Sequence, residues 1–424
     1  MMNDLLMTLR TPRVRIYHNV LWARYKGAIF SKIHSKSEHC GLATDFVQVA
    51  ETSVEHASLG EVDRSYHQYP FKLLFPKSYG DIPGYKLVLA LTADLLRNRS
   101  DLVVIPGYHR VEYWAMLVFC ILLRRKRAVF CDSTAHDREK NRWKEKAKAF
   151  FFRRCHAIFC YGIRSKEYVA SYGVQEERIF ADCQAAALPL TYDAVAVRRY
   201  HERKPRDAKA PMKFLYVGRL SSEKGLYDLL EAFGSVREQM RDARLDIVGP
   251  GVLANELKRR AGELGLESAV TFLGTKSPDE IGRLLLDSDA MVLPSHREPW
   301  GLVVNEALSY GCPVVVSNIC GCVPELVRDG VTGYSFPVGD VRALCTAMTS
   351  AARLSKERLS VAEQCLRLIE QYTPQRAASE ILSGCASVLN ITMTRHVGSP
   401  SESADGTLRA ASGRTRDDIY DQRD

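Results

Sequence analysis

The sequence lacks an apolar run long enough to cross a bilayer. The longest such run, residues 111–123, contains Glu112 near its start and falls short of the roughly 20 residues that a transmembrane helix needs. The first residues, MMNDLLMTLRTPRVRIYHN, also lack the apolar core of a secretory signal peptide. These two absences predict a protein that stays in the cytoplasm.

Motifs for common cofactors and metals are missing as well. G-x-x-x-x-G-K-[ST] does not occur, which excludes a P-loop NTPase, and Gly249-Pro250-Gly251 lacks the third glycine of G-x-G-x-x-G. The C-x-C of Cys320 and Cys322 has no second pair at zinc spacing. Asp287-Ser288-Asp289 resembles a metal-binding D-x-D, but it lies between a predicted helix and strand, opposite the predicted cleft, so we interpret it as capping. We expect no metal and no cofactor.

The composition is typical of a globular protein with two or three domains. The chain has 424 residues, of which 46% are apolar and 26% charged. Twelve cysteines, most of them in apolar segments, suit a reducing cytoplasm. The formal net charge of +9 favours anionic partners, which could be nucleotide sugars, lipid headgroups or nucleic acid.

Short buried strands alternate with helical segments along the first half of the chain. The predicted strands are residues 14–18, 102–105, 128–131 and 157–160. This rhythm predicts a parallel sheet, and it places His109 and Asp132 at the carboxyl edge, where ligands bind. A loop, residues 21–27, and then a helix from Ala28 onward are predicted after the first strand. Residues 39–85 show poor periodicity, and we interpret them as loops.

A polar, basic and proline-interrupted stretch, residues 185–213, precedes a second series of strands and helices. The strands predicted there are residues 214–217, 245–248, 270–273, 291–293, 314–316 and 333–336. We therefore predict two lobes with a cleft between them. The predicted segments are the first lobe at residues 1–208, the second lobe at 209–370, a C-terminal helix at 371–394 and a disordered tail at 395–424.

The strongest chemical signal is residues 291–317, MVLPSHREPWGLVVNEALSYGCPVVVS. Glu298 lies on the loop after a predicted strand, and Glu306 lies in the apolar helix that follows. A carboxylate in such a helix is costly unless it meets hydrogen-bond donors, and the hydroxyl groups of a ligand would serve.

A second signal is the turn Gly218-Arg219-x-x-x-x-Lys224-Gly225, which follows a predicted strand and precedes a helix. A glycine after the strand lets a ligand approach the backbone closely, and helix N-terminal amides favour an anion. Arg219 and Lys224 add positive charge at the same edge of the sheet. This turn therefore predicts a phosphate-binding site.

The pattern S-x-x-E-P-W-G-L-V-V-x-E-A, residues 295–307, resembles the Glu-x7-Glu signature of the retaining family 4 glycosyltransferases. The resemblance extends to the Pro-Trp-Gly turn and to G-x-P-V-V after the helix. It implies an α/β GT-B fold, in which two Rossmann-like parallel-sheet lobes face each other across a cleft and the last helix returns to brace the first lobe.

The resemblance also implies roles for individual residues. Glu298 would lie beside the transferred sugar, and Glu306 would bind the ribose hydroxyl groups of the nucleotide. His109 or Asp132 would contact the transferred sugar or the acceptor. Lys26 and Gly27 stand where the family carries a glycine-rich loop near the diphosphate and the acceptor. The expected nucleotide-sugar-binding residues are Gly218, Arg219, Lys224, Gly301, Leu302 and Glu306.

The function implied is a metal-independent, retaining hexosyltransferase that takes a sugar from a UDP- or GDP-sugar. The expected acceptor is a saccharide or lipid-linked saccharide in bacterial exopolysaccharide, capsule or lipopolysaccharide synthesis, with no nucleic acid involved. The basic residues 124–127 and the cationic aromatic stretch 144–154 have two interpretations. They are the solvated ends of core helices, or they contact an anionic membrane at the inner face of the plasma membrane.

Three alternatives remain. A glycoside hydrolase could use Glu298 and Glu306 as its acid and nucleophile, but it would leave Arg219 and Lys224 without a role. A non-hydrolysing sugar-nucleotide epimerase has the same two-lobed fold but lacks the E-P-W-G turn. A non-enzymatic basic protein could bind a membrane or nucleic acid, although no nucleic-acid-binding module is visible.

Overall fold

The computed structural model describes residues 10–54, 60–135, 142–204 and 210–392, which form two α/β lobes. The first lobe contains a parallel sheet in the order β3-β2-β1-β4-β5-β6-β7. Its strands are β1 (Arg13–Val20), β2 (Ala43–Thr52), β3 (Phe71–Ser78), β4 (Leu102–Ile105), β5 (Lys126–Cys131), β6 (Ala157–Cys160) and β7 (Ile179–Phe180). The helices that accompany them are α1 (Arg24–Ser37), α2 (Gly84–Arg97), α3 (Val111–Leu122), α4 (Arg142–Arg153), α5 (Ile163–Ala170) and α6 (Ala194–Arg203).

The second lobe contains a parallel sheet in the order β10-β9-β8-β11-β12-β13. Its strands are β8 (Lys213–Val217), β9 (Arg244–Val248), β10 (Val270–Gly274), β11 (Ala290–Leu293), β12 (Val314–Ser317) and β13 (Gly333–Phe336). The helices after β8 are α7 (Leu226–Gln239), α8 (Ala254–Glu263), α9 (Pro278–Asp287), α10 (Leu302–Ser309), α11 (Val323–Leu326), α12 (Val341–Leu354), α13 (Arg358–Ile369) and α14 (Pro374–Leu389).

Apolar strand sequences explain both sheets. The central strands β4, β6, β11 and β12 are buried along their whole length, as expected for parallel strands that helices cover on both faces. In the first lobe, α1 and α14 pack on one face of the sheet, and α2, α3, α4 and α5 pack on the other. The prediction of two parallel-sheet lobes is therefore confirmed.

Each sheet has a switch point where the strand order reverses. In the first sheet it lies between β1 and β4, and in the second it lies between β8 and β11. The loops that leave neighbouring strands at such a point diverge to opposite faces and open a crevice at the carboxyl edge. Both predicted chemical motifs of the second lobe follow β8 and β11, so the topology alone brings them to one crevice.

Two segments cross between the lobes. Helix α14 packs on the first lobe, where Lys126 donates from Nζ to the carbonyl of Val388 at 2.6 Å. Helix α6 lies within the range 1–208 that was assigned to the first lobe, yet it packs on the second, and Nε2 of His201 lies 2.9 Å from the carbonyl oxygen of Tyr310. The predicted boundary at residue 208 and the predicted tail at 395–424 lie outside the described residues.

Residues 39–85 are not only loops, because they contain β2 and β3. Polar side chains point into the interior of this region and hide the apolar pattern of the strands. Gln48 donates to the hydroxyl of Tyr69 at 2.9 Å, and Nδ1 of His67 lies 2.8 Å from the same hydroxyl. The prediction of a loop here was wrong because polar side chains that bond the Tyr69 hydroxyl are buried inside the lobe beside the two strands.

The Asp287-Ser288-Asp289 sequence lies at the amino edge of the second sheet, opposite the crevice. Asp289 accepts from the backbone N–H of Lys213 at 2.9 Å, and Asp287 accepts from Nζ of Lys204 at 2.7 Å. The two carboxylates therefore bind the start of β8 and the end of α6.

Candidate active site

Close backbone packing shapes the turn after β8. The N–H of Gly218 donates to the carbonyl of Val248 at 3.0 Å. Gly249 has φ +131°, and a Cβ at this position would lie 1.9 Å from the carbonyl oxygen of Gly218. Only glycine fits there, so the turns after β8 and β9 lie in direct backbone contact at the carboxyl edge of the second sheet.

The loop after β11 is held against this turn. The backbone N–H of His296 donates to the carbonyl of Glu223 at 2.8 Å, and the carbonyl of Glu298 accepts from Gly321 at 3.0 Å. Trp300 is buried and donates from Nε1 to the side chain of Asn305 at 2.8 Å. Backbone and buried side-chain contacts therefore fix the position of Glu298.

Lys224 and Glu298 form an ion pair across these two segments, with Nζ 2.6 Å from Oε2. Their side chains are only 13% and 15% exposed, so solvent screens the pair weakly. The two residues are 74 positions apart in sequence. The structure thus brings a lysine of the predicted phosphate site into contact with the first of the two predicted acids.

The other members of the two motifs share a cavity of about 410 Å³ between the lobes. Gly218, Arg219, Leu302 and Glu306 line it on the side of the second lobe. Arg219 also lies 3.3 Å from Glu223 through one guanidinium nitrogen. Gly301, at φ +101°, precedes α10 and lets the loop turn into the helix that carries Glu306.

Glu306 has the environment of a ligand-binding acid. Burial raises the pKa of its carboxyl group to about 7, and the positive charge of Arg24 acts in the opposite direction. Within the described residues its side chain has no hydrogen-bond partner. A carboxylate in this position can accept hydrogen bonds from the hydroxyl groups of a bound molecule.

The first lobe contributes Trp22, Arg24 and Tyr25 to the same cavity. Trp22 and Arg24 were not selected from the sequence as site residues, whereas Tyr25 adjoins the predicted Lys26 and Gly27. The available signal was a cation in the first turn of the helix after β1, because helix N-termini at a switch point face the crevice. Arg24 thus adds a cation from the first lobe to a cavity that Arg219 lines from the second.

A larger cavity of about 710 Å³ lies mainly within the first lobe. His109 and Asp132, which follow β4 and β5, both line it, as does Arg297 from the loop of the second lobe. Arg297 is the neighbour of Glu298 in sequence. His109 and Asp132 of the first lobe and the loop that carries Glu298 therefore meet at this larger cavity.

Lys26 and Gly27 do not lie in a loop, because α1 begins at Arg24 rather than at Ala28. Lys26 is buried, and its Nζ lies 4.4 Å from the ring centroid of Phe130 and 4.7 Å from that of Tyr161. Burial lowers its pKa to about 8. A Cβ on Gly27 would lie 2.9 Å from the His67 ring. Both residues face the interior of the lobe, so the prediction that they belong to a loop was wrong.

A separate contact joins the lobes behind the site. Buried Glu325 accepts from the backbone N–H of Ile163 at 2.5 Å, and Arg164 donates to the carbonyl of Cys320 at 2.9 Å. Burial raises the pKa of Glu325 to about 7. These bonds fix the N-terminus of α5 against the segment that also holds Glu298.

The sequence of the second lobe is similar to those of known proteins. Residues 198–366 match the family model of the glycosyl transferases group 1. The chain is 32% identical over 243 residues to glycogen synthase of Mycobacterium tuberculosis, which covers 54% of this chain and 58% of that protein. It is 30% identical over 223 residues to the amylovoran biosynthesis glycosyltransferase AmsK of Erwinia amylovora, covering 50% and 54%. The chain thus spans little more than half the length of these relatives.

The similarity of fold extends over both lobes. The crystal structure of Anabaena HepE in complex with UDP superposes with a TM-score of 0.67 at 16% identity, covering 89% of this chain and all of that one. At this identity the match shows the fold alone, and it is the GT-B fold that the sequence predicted. Residues 198–366 are therefore similar to the glycosyl transferases group 1, within a chain whose two lobes have the GT-B fold.

Proposed function

We propose that this protein is a retaining glycosyltransferase that moves a sugar from a nucleotide diphosphate sugar to a saccharide or lipid-linked saccharide. The observation that carries the proposal is the cavity between the lobes, which Arg219, Glu306 and Arg24 all line. To bind a nucleotide sugar, a protein needs a cation that bonds the phosphate groups and an acid that accepts hydrogen bonds from the hydroxyl groups.

The roles of the charged residues follow from the charge that develops during transfer. A sugar that leaves a diphosphate takes on positive character, and negative charge accumulates on the phosphate. Arg219 and Lys224 neutralise the phosphate, each through charge-assisted hydrogen bonds worth roughly 1.5–3 kcal/mol. Glu298, held by Lys224 at 2.6 Å, lies next to the positive sugar. His109 or Asp132 then contacts the transferred sugar or the acceptor in the larger cavity.

The comparisons support a donor of this class. HepE was crystallised with UDP, and AmsK is named for polysaccharide synthesis. We therefore place UDP-sugars first and GDP-sugars second as donors. By the same analogy, the pathway is bacterial exopolysaccharide, capsule or lipopolysaccharide synthesis, in the cytoplasm or at the inner face of the plasma membrane. Retention of anomeric configuration and independence from metal complete the proposal.

A donor screen tests the function. Purified protein is titrated with a panel of UDP- and GDP-sugars, with binding followed by calorimetry and transfer followed by product analysis, with and without EDTA. We expect one nucleotide class to bind and activity to persist in EDTA. If every donor failed to bind, the proposal would be refuted; binding without transfer to any acceptor or water would favour a non-enzymatic role.

We expect kcat/KM for the donor to rise with pH through about 7. The carboxylate form of Glu306 makes stronger hydrogen bonds to hydroxyl groups than the protonated form, and burial raises its pKa to about 7. The donor therefore binds better above this pH. Glu306→Gln should raise the donor KM and flatten the pH profile, which steady-state kinetics between pH 5.5 and 8.5 would measure.

The matched control is Glu325→Gln, because the pKa of Glu325 is also raised to about 7 and this residue does not line the cavity. It should keep the pH profile of the parent. A flat profile in Glu325→Gln, with the parental profile kept in Glu306→Gln, would assign the pH dependence to the contact of Glu325 with Ile163 between the lobes. The proposed role of Glu306 in donor binding would then be rejected.

A further inference from the structure

Helices α2, α3 and α4 form one outer layer of the first lobe. All three pack on the same face of the first sheet. Trp114 of α3 and Phe150 of α4 stack with ring centroids 6.5 Å apart, so these two helices lie side by side. The outward sides of the three helices therefore make one continuous surface, which we call the α2–α4 surface.

The α2–α4 surface exposes large apolar side chains from every helix. Trp143 is 80% exposed, Val111 is 77% exposed and Leu122 is 71% exposed. Within each helix, the exposed apolar residues follow one another at intervals of four or seven positions. Each helix therefore presents one apolar stripe outward. The other exposed apolar residues of the surface are Tyr85, Leu89, Leu96, Val118, Leu123 and Phe150. Apolar side chains at this density mark an interaction site.

Within the described residues, exposed cations outnumber exposed acids on this surface. The cations are Lys86, Arg97, Arg99, Arg110, Arg124, Arg142, Lys144, Lys146, Arg153 and Arg154. The exposed acids beside the three helices are Asp81 and Asp101, and Arg110 lies 3.8 Å from Glu112. Asp94 and Glu112 are buried, and Glu145 forms an ion pair with Lys148 at 2.7 Å. Apolar side chains among an excess of cations match a bilayer that contains anionic lipid.

The larger cavity opens beside this surface. Arg110 and Trp114 of the α3 segment and Lys144 and Lys148 of α4 line that cavity. Two of these residues, Arg110 and Lys144, also belong to the cations of the surface. No helix in the described ranges has the length and apolar character that crossing a bilayer would require. Contact with a bilayer would therefore be peripheral, with the cavity at the level of the headgroups.

We propose that the α2–α4 surface binds an anionic bilayer and presents the larger cavity to an acceptor whose lipid carries a phosphate. The membrane part of this inference stands on the surface alone, whereas the acceptor part rests on the proposed glycosyltransferase function. Arg110 and Lys144 bind the phosphate, and the apolar part of the acceptor stays in the bilayer.

Vesicle co-sedimentation of the full chain tests the surface. We expect binding to vesicles of phosphatidylcholine with phosphatidylglycerol, and little binding to phosphatidylcholine alone. Arg142→Gln with Lys146→Gln should weaken binding by about fivefold for each cation removed. Trp143→Ser should weaken it further. The controls are Val252→Ser and Lys356→Gln, at exposed positions of the second lobe, and they should bind like the parent.

Several outcomes would overturn the proposal. One is equal, weak binding to both kinds of vesicle, and another is full binding by Trp143→Ser together with the double cation variant. Binding to oligonucleotides in place of vesicles would assign the surface to nucleic acid. A dimer that Trp143→Ser dissociates would assign it to a second copy of the chain. Vesicle binding without any donor binding would keep the surface and reject the glycosyltransferase function.

Transfer assays test the acceptor part. Arg142→Gln with Lys146→Gln should lower the rate with an acceptor embedded in anionic vesicles, and it should leave the rate with a short water-soluble acceptor unchanged. Equal loss with both acceptors would contradict a role for the membrane in presenting the acceptor.

Discussion

Lys224→Ala should lower kcat by about 10²–10³-fold, with a smaller change in the donor KM. The amine of Lys224 lies 2.6 Å from the carboxylate of Glu298 and is largely buried. At this position it can neutralise the charge that accumulates on the departing phosphate, so its loss acts more on the transition state than on the bound donor. Single-turnover and steady-state kinetics with the donor identified by screening would separate the two effects.

The same substitution also leaves Glu298 partly buried without its cation, so folding must be checked. The midpoint of thermal unfolding of Lys224→Ala should stay near that of the parent, so that the variant remains folded in assays at 25 °C. Lys356→Ala removes an exposed lysine of the same lobe and should change neither kcat nor KM. A Lys224→Ala variant that was folded and kept the parental kcat would remove Lys224 from the mechanism.

Glu298 and Lys224 are best tested together as a pair. If each stabilises a different part of the same transition state, the double variant Lys224→Ala with Glu298→Gln should lose less activity than the two single losses combined. Simple additivity would mean that the 2.6 Å contact has no consequence for turnover. The double-mutant cycle therefore distinguishes a working pair from two separate charges.

The sequence predicts the second lobe more fully than the first for a physical reason. Its strands are short apolar runs that stop at glycine or proline, and the motif loops follow them directly. The predicted strand at residues 333–336 was located to the residue, and the helix predicted after Gly225 begins at Leu226. In the first lobe, polar groups such as Gln48 and His67 are buried in the core and bond the Tyr69 hydroxyl, so β2 and β3 lose the apolar pattern that would reveal them.

Contacts across the lobes could not be derived from sequence patterns. The loop at residues 218–225 and the loop at residues 294–301 converge because β8 and β11 flank a switch point, which strand order reveals and composition does not. Arg24 and Lys26 show the same limit. They are two residues apart at the start of one helix, yet Arg24 lines the cavity between the lobes and Lys26 is buried among aromatic rings. The rotation of α1 decides which of the two cations reaches that cavity.

Gly225→Ala should destabilise the second lobe by about 3 kcal/mol or more. Gly225 has φ +66°, and a Cβ there would lie 2.0 Å from the carbonyl oxygen of Pro294. Neither atom belongs to a flexible side chain, so the backbone of one loop must move. That movement would separate Lys224 from Glu298, and we expect turnover to fall with stability. Chemical denaturation and kcat measured on the same preparation would show both effects.

Gly265→Ala separates the two causes of this loss. Gly265 has φ +67°, almost the same backbone conformation, but a Cβ there meets no atom within 4 Å. It should therefore cost only about 1 kcal/mol, which is the strain of a left-handed conformation in an L-residue. The difference between the two variants measures the close approach of the loops after β8 and β11. Equal losses from both variants, with kcat unchanged in Gly225→Ala, would mean that the packing of these loops does not hold the active site together.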